Sequence, residues 1–169
     1  RPPPTGQGGP YHGAVSQTPQ PCDVVVIGAG MAGASVAAFL AAHVRVAVVE
    51  REALAGMHTT GRSAAMFMES YGPAQVRALT RASRHYLEQG AGWFSPRSAL
   101  FIARASQAQA LAELEAQLHA DGGGLPQRLS SAQALLRVPA LRPEATAGAL
   151  LDTSAADIDV NALHQHFLG

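Results

Sequence analysis

The sequence contains no lysine: all 12 of its basic Lys and Arg positions are arginine. Twelve acidic residues balance them, so the formal net charge is zero. That balance leaves no electrostatic footprint for nucleic acid or for an anionic membrane surface. Arginine-only usage with abundant alanine points to a GC-rich genome and a bacterial source. Cysteine is nearly absent too. The single Cys22 has no partner for an internal disulfide, so nothing calls for an oxidising compartment. Just ahead of an apolar run, it reads as a small filler and not as a reactive thiol. No stretch reaches the roughly 20 apolar residues that span a bilayer. No basic segment leads into an apolar one, as a secretory signal would. A cytoplasmic location is the expectation, although the chain opens on Arg1 and the true start can lie upstream.

At 169 residues, 47% of them hydrophobic, the chain is long enough to bury a core. Residues 1–21 carry six of the eleven prolines, with no hydrophobic periodicity, and read as a disordered leader. The remainder, 22–169, reads as one α/β unit.

Its most informative stretch is Asp23 to Glu50. Val24-Val25-Val26-Ile27 is an unbroken apolar run, expected as a parallel strand buried on both faces. Gly28-Ala29-Gly30-Met31-Ala32-Gly33 follows at once in the form GxGxxG. The first glycine permits a tight turn, the second a close approach of backbone to a pyrophosphate, and the third helix-to-strand packing. A helix opening there aims free N–H groups and a positive dipole end at a phosphate. Arg45 to Val49 predicts the second strand. Glu50 lies 17 residues past Gly33, near the spacing of the acid that binds ribose hydroxyls. Strand, turn, helix, strand and acid in this order define a dinucleotide-binding βαβ unit. An acid at position 50 favours a free ribose 2′-hydroxyl, hence FAD or NAD over NADP.

Downstream, 51–63 is rich in glycine, threonine and serine and reads as loop. Ser63 is expected to cap a short helix through Phe67. Tyr71-Gly72-Pro73 breaks the chain before an amphipathic helix over 74–89. Its inner stripe is Val76, Leu79, Ser83, Tyr86 and Leu87, and Arg77, Arg81 and Arg84 are expected on a solvated face. A strand is expected over Ala99–Ala103, then a helix over 106–120 capped by Ser106 and terminated by Asp121-Gly122-Gly123-Gly124. Ser130 or Ser131 is expected to cap a helix to Arg137. A strand over Ala147–Leu151 follows, and Asp157 or Asp159 caps a final helix over Val160–Leu168.

DVVVIGAGMAGASVAAFLA, VAVVERE, HTTGRSAAMF and YGPAQVRALT together resemble the amino-terminal part of FAD-dependent amino-acid oxidoreductases. These form the D-amino-acid oxidase-like superfamily, with glycine and sarcosine oxidases among them. The resemblance is strongest to bacterial D-arginine dehydrogenases and runs from Cys22 through DIDVNALHQ. It implies a Rossmann-like FAD-binding βαβ unit with the start of an interleaved substrate domain, continuing beyond Gly169. It implies FAD as cofactor, with Gly28, Gly30, Met31, Ala32 and Gly33 at the pyrophosphate, Glu50 at the ribose and Arg51 at the adenine end. Thr60, Gly61, Arg62 and Ser63 match the family's second FAD-contacting loop, and Ala64, Ala65 and Met66 would approach the flavin ring. Tyr71 matches a catalytic-site tyrosine on a mobile loop that closes over substrate.

The implied reaction is oxidation of an amino-acid C–N bond by hydride transfer to flavin. Two positions depart from the arginine-specific pattern: Met66 replaces a histidine, and Ala99 replaces a glutamate that would pair with a guanidinium. A neutral methyl group makes no such charge-assisted contact, so a smaller or more apolar amino or imino acid is expected. Glu69 is a candidate replacement contact, and His58 a candidate to orient the cofactor loop. A secondary-amine oxidase of glycine or sarcosine oxidase type, a truncated nucleotide-binding module without activity, and an NAD-binding module stay open. No metal site is expected. His164 and His166 lie on different sides of one helix, and Asp152, Asp157 and Asp159 lack the rest of a calcium loop. Met57, Met66 and Met68 read as pliable packing.

Overall fold

A computed structural model describes residues 21–90, 92–122 and 126–169. The expected leader lies outside these residues up to position 20, as do Gly123 and Gly124 of the expected helix terminator.

β1 (Val24–Ile27) and β2 (Val46–Val49) pair in parallel, with Val24 opposite Val46 and Ile27 opposite Val49. Four β-branched or apolar residues in a row suit a strand, and the intervening α1 (Met31–Ala41) supplies the crossover that a parallel pair needs. β1 is not buried on both faces as expected. Val24 and Val26 are half-buried, while Val25 and Ile27 are exposed, Ile27 at 87%. Among the described residues this sheet has two strands, and α1 is the helix packed along them. Cys22 is likewise exposed and fills no space.

Two antiparallel sheets follow. β8 (Ala156–Ile158) lies between β3 (Met66–Phe67) and β4 (Phe94–Pro96); β7 (Gly148–Asp152) lies between β5 (Ala99–Ala103) and β6 (Gln127–Ser130). β7 and β8 are consecutive in the chain, so residues 153–155 join the two sheets. Met66 faces Asp157 and Phe67 faces Ala156 in the β3–β8 register. That pairing corrects the helix expected after Ser63, because a partner strand far along the chain takes the backbone that a short local helix would have used. Ser63 Oγ instead accepts a hydrogen bond from Ala65 N (3.0 Å).

α2 (Ala74–Glu88) and α5 (Val160–Leu168) fall where periodicity places them. Asp159 is the cap of α5, its carboxylate accepting from Ala162 N at 2.8 Å, and Ser130 caps α4 (Ser131–Arg137). Ser106 is no cap: it sits within a 3₁₀ turn, 105–107, and α3 (Ala108–Ala120) begins after Gln107. α5 folds back along α1, so the end of the chain supports its beginning. The main core is Phe67, Leu87, Trp93, Ala156 and Leu163, with Met31 packed against it. A second core, Leu129, Ala134, Ala149 and Leu151, sits under β6 and β7. Among the described residues no helix is long and apolar enough to cross a membrane.

The inner stripe of α2 departs from expectation. Val76 and Leu79 are exposed, whereas Arg77 is buried, at 7%, and Arg84 is half-buried. Both arginines find acids remote in sequence. Arg77 Nε donates to Asp121, and Arg84 Nε to the buried Glu69.

Candidate functional site

The glycine turn is built by contacts that only its own sequence permits. Gly28 has φ +95°, in the region that favours glycine. A Cβ on Gly33 would stand 1.9 Å from the Gly28 carbonyl oxygen, so the third glycine lets α1 start directly against the turn. Met31, the first residue of α1, donates its amide to Thr60 Oγ1 at 2.9 Å, and its side chain packs toward the core. The other amides of the first turn, including those of Ala32 and Gly33, have no intrahelical acceptor and suit an outside anion. A Cβ on Gly30 would reach 3.2 Å from Thr60 Oγ1.

Glu50, just past β2, turns back onto this turn. Its Oε2 accepts from Ala29 N at 2.8 Å, and its Oε1 from Arg51 N at 2.7 Å and Glu52 N at 3.0 Å. The amide of Glu52, and next that of Ala29, holds the Glu50 carboxyl below its ordinary value. A depressed carboxylate contributes its stabilisation above the ordinary pKa and loses it as pH falls through the lowered one. An NMR titration of the Glu50 carboxyl carbon is therefore expected to show a midpoint below the ~4.3 of free glutamate. A midpoint at or above that value would contradict the amide contacts.

Glycine turn and acid share a cleft of about 270 Å³, lined also by Glu52, His58 and Thr60. Its acids do not repel an anion freely. Glu50 is held by three amides, and Glu52 by Arg51 Nη2 (2.8 Å) and His58 Nε2 (3.1 Å). His58 and Arg51 are otherwise exposed, and the Arg51 guanidinium pairs with Glu52. The loop carrying Thr60 is a run of turns, with Gly61 N donating to Gly56 O at 2.7 Å and Arg62 N to His58 O at 3.1 Å. Arg62 is exposed. Ala65 then takes φ +57°, the one non-glycine in the left-handed region among the described residues. Such a kink costs about 1 kcal/mol. Strained residues of this kind gather at ligand sites. Here the kink delivers Met66 into β3.

Beyond Met66 opens a larger, apolar cleft of about 640 Å³, lined by Met66, Met68, Tyr71, Val76, Leu79 and Ile158 among others. Tyr71 projects beside it, 70% exposed. Its backbone is staked down on both sides. Glu69 is bound by Arg84, Ser70 Oγ donates to the buried Asp152, and the Gly72 carbonyl accepts from Arg77 Nη1. The expectation of a mobile loop thus meets three polar anchors, one buried and two part-buried, leaving the phenol side chain as the free part. Glu69 is engaged by Arg84 and is no free contact for a ligand. Ala99 does not line this cleft; it opens β5 opposite Asp152.

One functional candidate leaves no motif in the sequence. His164 of α5 is buried, and its ring nitrogen lies 2.7 Å from the carbonyl of Ala29 inside the glycine turn. His166, two residues on, instead meets Tyr86 Oη at 3.1 Å and the Trp93 ring at 4.7 Å. Among the described residues, no three His, Cys, Asp or Glu side chains gather as a metal ion would need.

Comparison with known proteins agrees with this architecture. The family model for FAD dependent oxidoreductases matches residues 23–169. Among solved structures, L-alpha-glycerophosphate oxidase from Mycoplasma pneumoniae, with FAD bound, superposes with TM-score 0.77 at 20% identity, covering 86% of this chain and 41% of that one. L-proline dehydrogenase from P. horikoshii gives 0.73 at 21%, covering 89% and 41%. Glycine oxidase from Geobacillus kaustophilus gives 0.69 at 23%, covering 86% and 43%. The chain thus spans about two fifths of the length of these structures. It belongs to the family of FAD-dependent oxidoreductases whose model it matches. FAD is accordingly its cofactor, and the NAD alternative left open by the βαβ unit gives way. The residues present fit that group, with a turn that a Cβ on Gly33 would fill, free first-turn amides and a carboxylate at the end of β2.

Proposed function

We propose that residues 22–169 form the cofactor-binding amino-terminal part of an enzyme that oxidises the C–N bond of a small or apolar amino acid. The glycine turn from Gly28 to Gly33 holds the pyrophosphate, with the free amides of Ala32 and Gly33, while Met31 braces it through Thr60. Glu50 takes the ribose hydroxyls, and Arg51 lies at the adenine end. Thr60, Gly61, Arg62 and Ser63 run beneath the cofactor. The Ala65 kink and Met66 bring apolar surface to the flavin end. When bound, FAD supplies an acceptor for the hydride that leaves the substrate α-carbon, and water hydrolyses the resulting imine. The chain's own residues orient and shelter: Met66 and Met68 exclude water from the apolar cleft, and Tyr71 offers its hydroxyl to the substrate.

The observation that carries the substrate class is the apolar cleft between Met66 and Tyr71. The nearest buried acids, Glu69 and Asp152, are already committed to Arg84 and to Ser70 and Ser154. Among the described residues a cationic side chain finds no free partner there, which argues against D-arginine. The experiment is anaerobic bleaching of flavin absorbance near ~450 nm in FAD-loaded protein containing this chain. An apolar D-amino acid such as D-methionine is expected to bleach it at least about tenfold faster than D-arginine, since a missing charge-assisted contact costs that much. Equal or faster bleaching by D-arginine overturns the substrate class. Bleaching by sarcosine alone moves the enzyme to the secondary-amine type.

A further inference from the structure

We propose that His164 is a positioning residue for the glycine turn, fixing the Ala29–Gly30 peptide so that its amide side faces the FAD pyrophosphate. This rests on the reading of that turn as the phosphate cradle. His164 is 3% exposed, and its Nε2 stands 2.7 Å from the Ala29 carbonyl, 135 residues away in sequence. A carbonyl only accepts, so Nε2 carries the proton and donates. In a trans peptide the carbonyl and the following N–H point to opposite sides. Drawing the Ala29 carbonyl toward α5 therefore turns the Gly30 N–H away from α5, and Gly30 lines the cleft that it shares with Gly28 and Glu50. The peptide on the other side of Ala29 is held as well, because Ala29 N donates to Glu50 Oε2. Both flanks of one buried residue are thus set by side chains from outside the turn, one of them the ribose acid.

The imidazole is itself wedged. Gly56 has φ +75°, and a Cβ there would meet His164 Cε1 at 2.9 Å and Nδ1 at 3.2 Å. Gly56 shares its loop with Thr60, which holds the Met31 amide. His164 therefore ties three segments together: α5, the Thr60 loop and the glycine turn. Buried carbonyls are seldom left without a donor, so the turn cannot keep this orientation at no cost once the ring is gone.

The experiment compares His164→Leu, which keeps bulk but has no donor, with His164→Gln, whose amide nitrogen reaches near the position of Nε2. Dissociation constants of the protein containing this chain for FAD, ADP and adenosine are read by flavin fluorescence and competition, at a temperature where each variant is folded. His164→Leu is expected to weaken FAD and ADP about tenfold, the worth of one lost hydrogen bond to a buried acceptor. Adenosine, which lacks the diphosphate, is expected to be unchanged, and His164→Gln is expected to stay within about threefold of the parent, its amide replacing that donor. A purely structural role would lower thermal stability and weaken all three ligands alike. Parent affinity for FAD in His164→Leu overturns the proposal, as does equal weakening of adenosine. Should the leucine variant fail to fold, His164→Asn, whose shorter amide falls short of the carbonyl, takes its place; affinity equal to that of His164→Gln then overturns it. If the parent binds FAD but ADP does not compete, the reading of the turn as a phosphate cradle fails instead.

Discussion

Gly33→Ala is expected to destabilise the protein by about 3 kcal/mol and to abolish measurable FAD binding. The added methyl would sit 1.9 Å from the Gly28 carbonyl oxygen, 3.0 Å from the carbonyl carbon and 3.3 Å from Val26 Cγ1. Two of those neighbours are backbone, so no side-chain rotation relieves them. α1 must lift from β1, and the turn must open at the proposed pyrophosphate site. Working the other way, alanine is favoured over glycine within a helix by about 1 kcal/mol. The clash is the larger effect and sets the sign. Gly28→Ala makes the contrast: a Cβ there would meet nothing within 4 Å, but φ +95° makes any L side chain strained. It is expected to cost about 1–2 kcal/mol. Urea denaturation of both variants ranks them, and a greater loss in Gly28→Ala would contradict the packing assigned to Gly33.

Arg84→Leu is expected to cost about 3 kcal/mol, the lower end of the range for breaking a buried ion pair, since Arg84 retains some solvent exposure. The loss has several parts. The buried Glu69 carboxyl is left without its cation, and the Ser154 carbonyl and Glu88 lose a donor. The guanidinium also lies over Phe67, 4.8 Å from the ring centroid, and 5.7 Å from that of Phe94. Removing both charges is less harmful than removing one. The double variant Arg84→Leu/Glu69→Leu is thus expected to regain about half of the loss. Denaturant midpoints of the two single variants and the double decide the matter. A neutral Arg84→Leu would contradict the anchoring of the Tyr71 turn.

The βαβ unit and its glycine turn are legible in the sequence because their signals lie within one contiguous stretch, from Val24 to Glu50. The caps at Ser130 and Asp159 are legible in the same way. What stays hidden depends on distant partners. Periodicity puts Arg77 and Arg84 of α2 in solvent, yet Asp121 and Glu69 draw them inward while Val76 and Leu79 stay exposed. Local sequence favours helix after Ser63, because the pairing of β3 with β8 leaves no trace there. β4, β6 and β8 carry short, mixed sequences such as Gln127-Arg128-Leu129-Ser130, with no strong alternation to announce them. His164 does leave a signal. It shares the stripe of α5 with Val160, Leu163 and Phe167, and a histidine on a buried stripe needs a partner. That partner is a backbone carbonyl, which no sequence pattern names.

The most direct measurement is a thermal-shift titration of the protein containing this chain with FAD and, separately, with NAD. A ligand that binds only the folded form raises the melting temperature as its concentration exceeds its dissociation constant. The expected result is a saturable rise with FAD, none with NAD, and loss of the FAD response in Gly33→Ala under conditions where that variant is folded. A rise with NAD and none with FAD would contradict the assignment of the glycine turn to FAD.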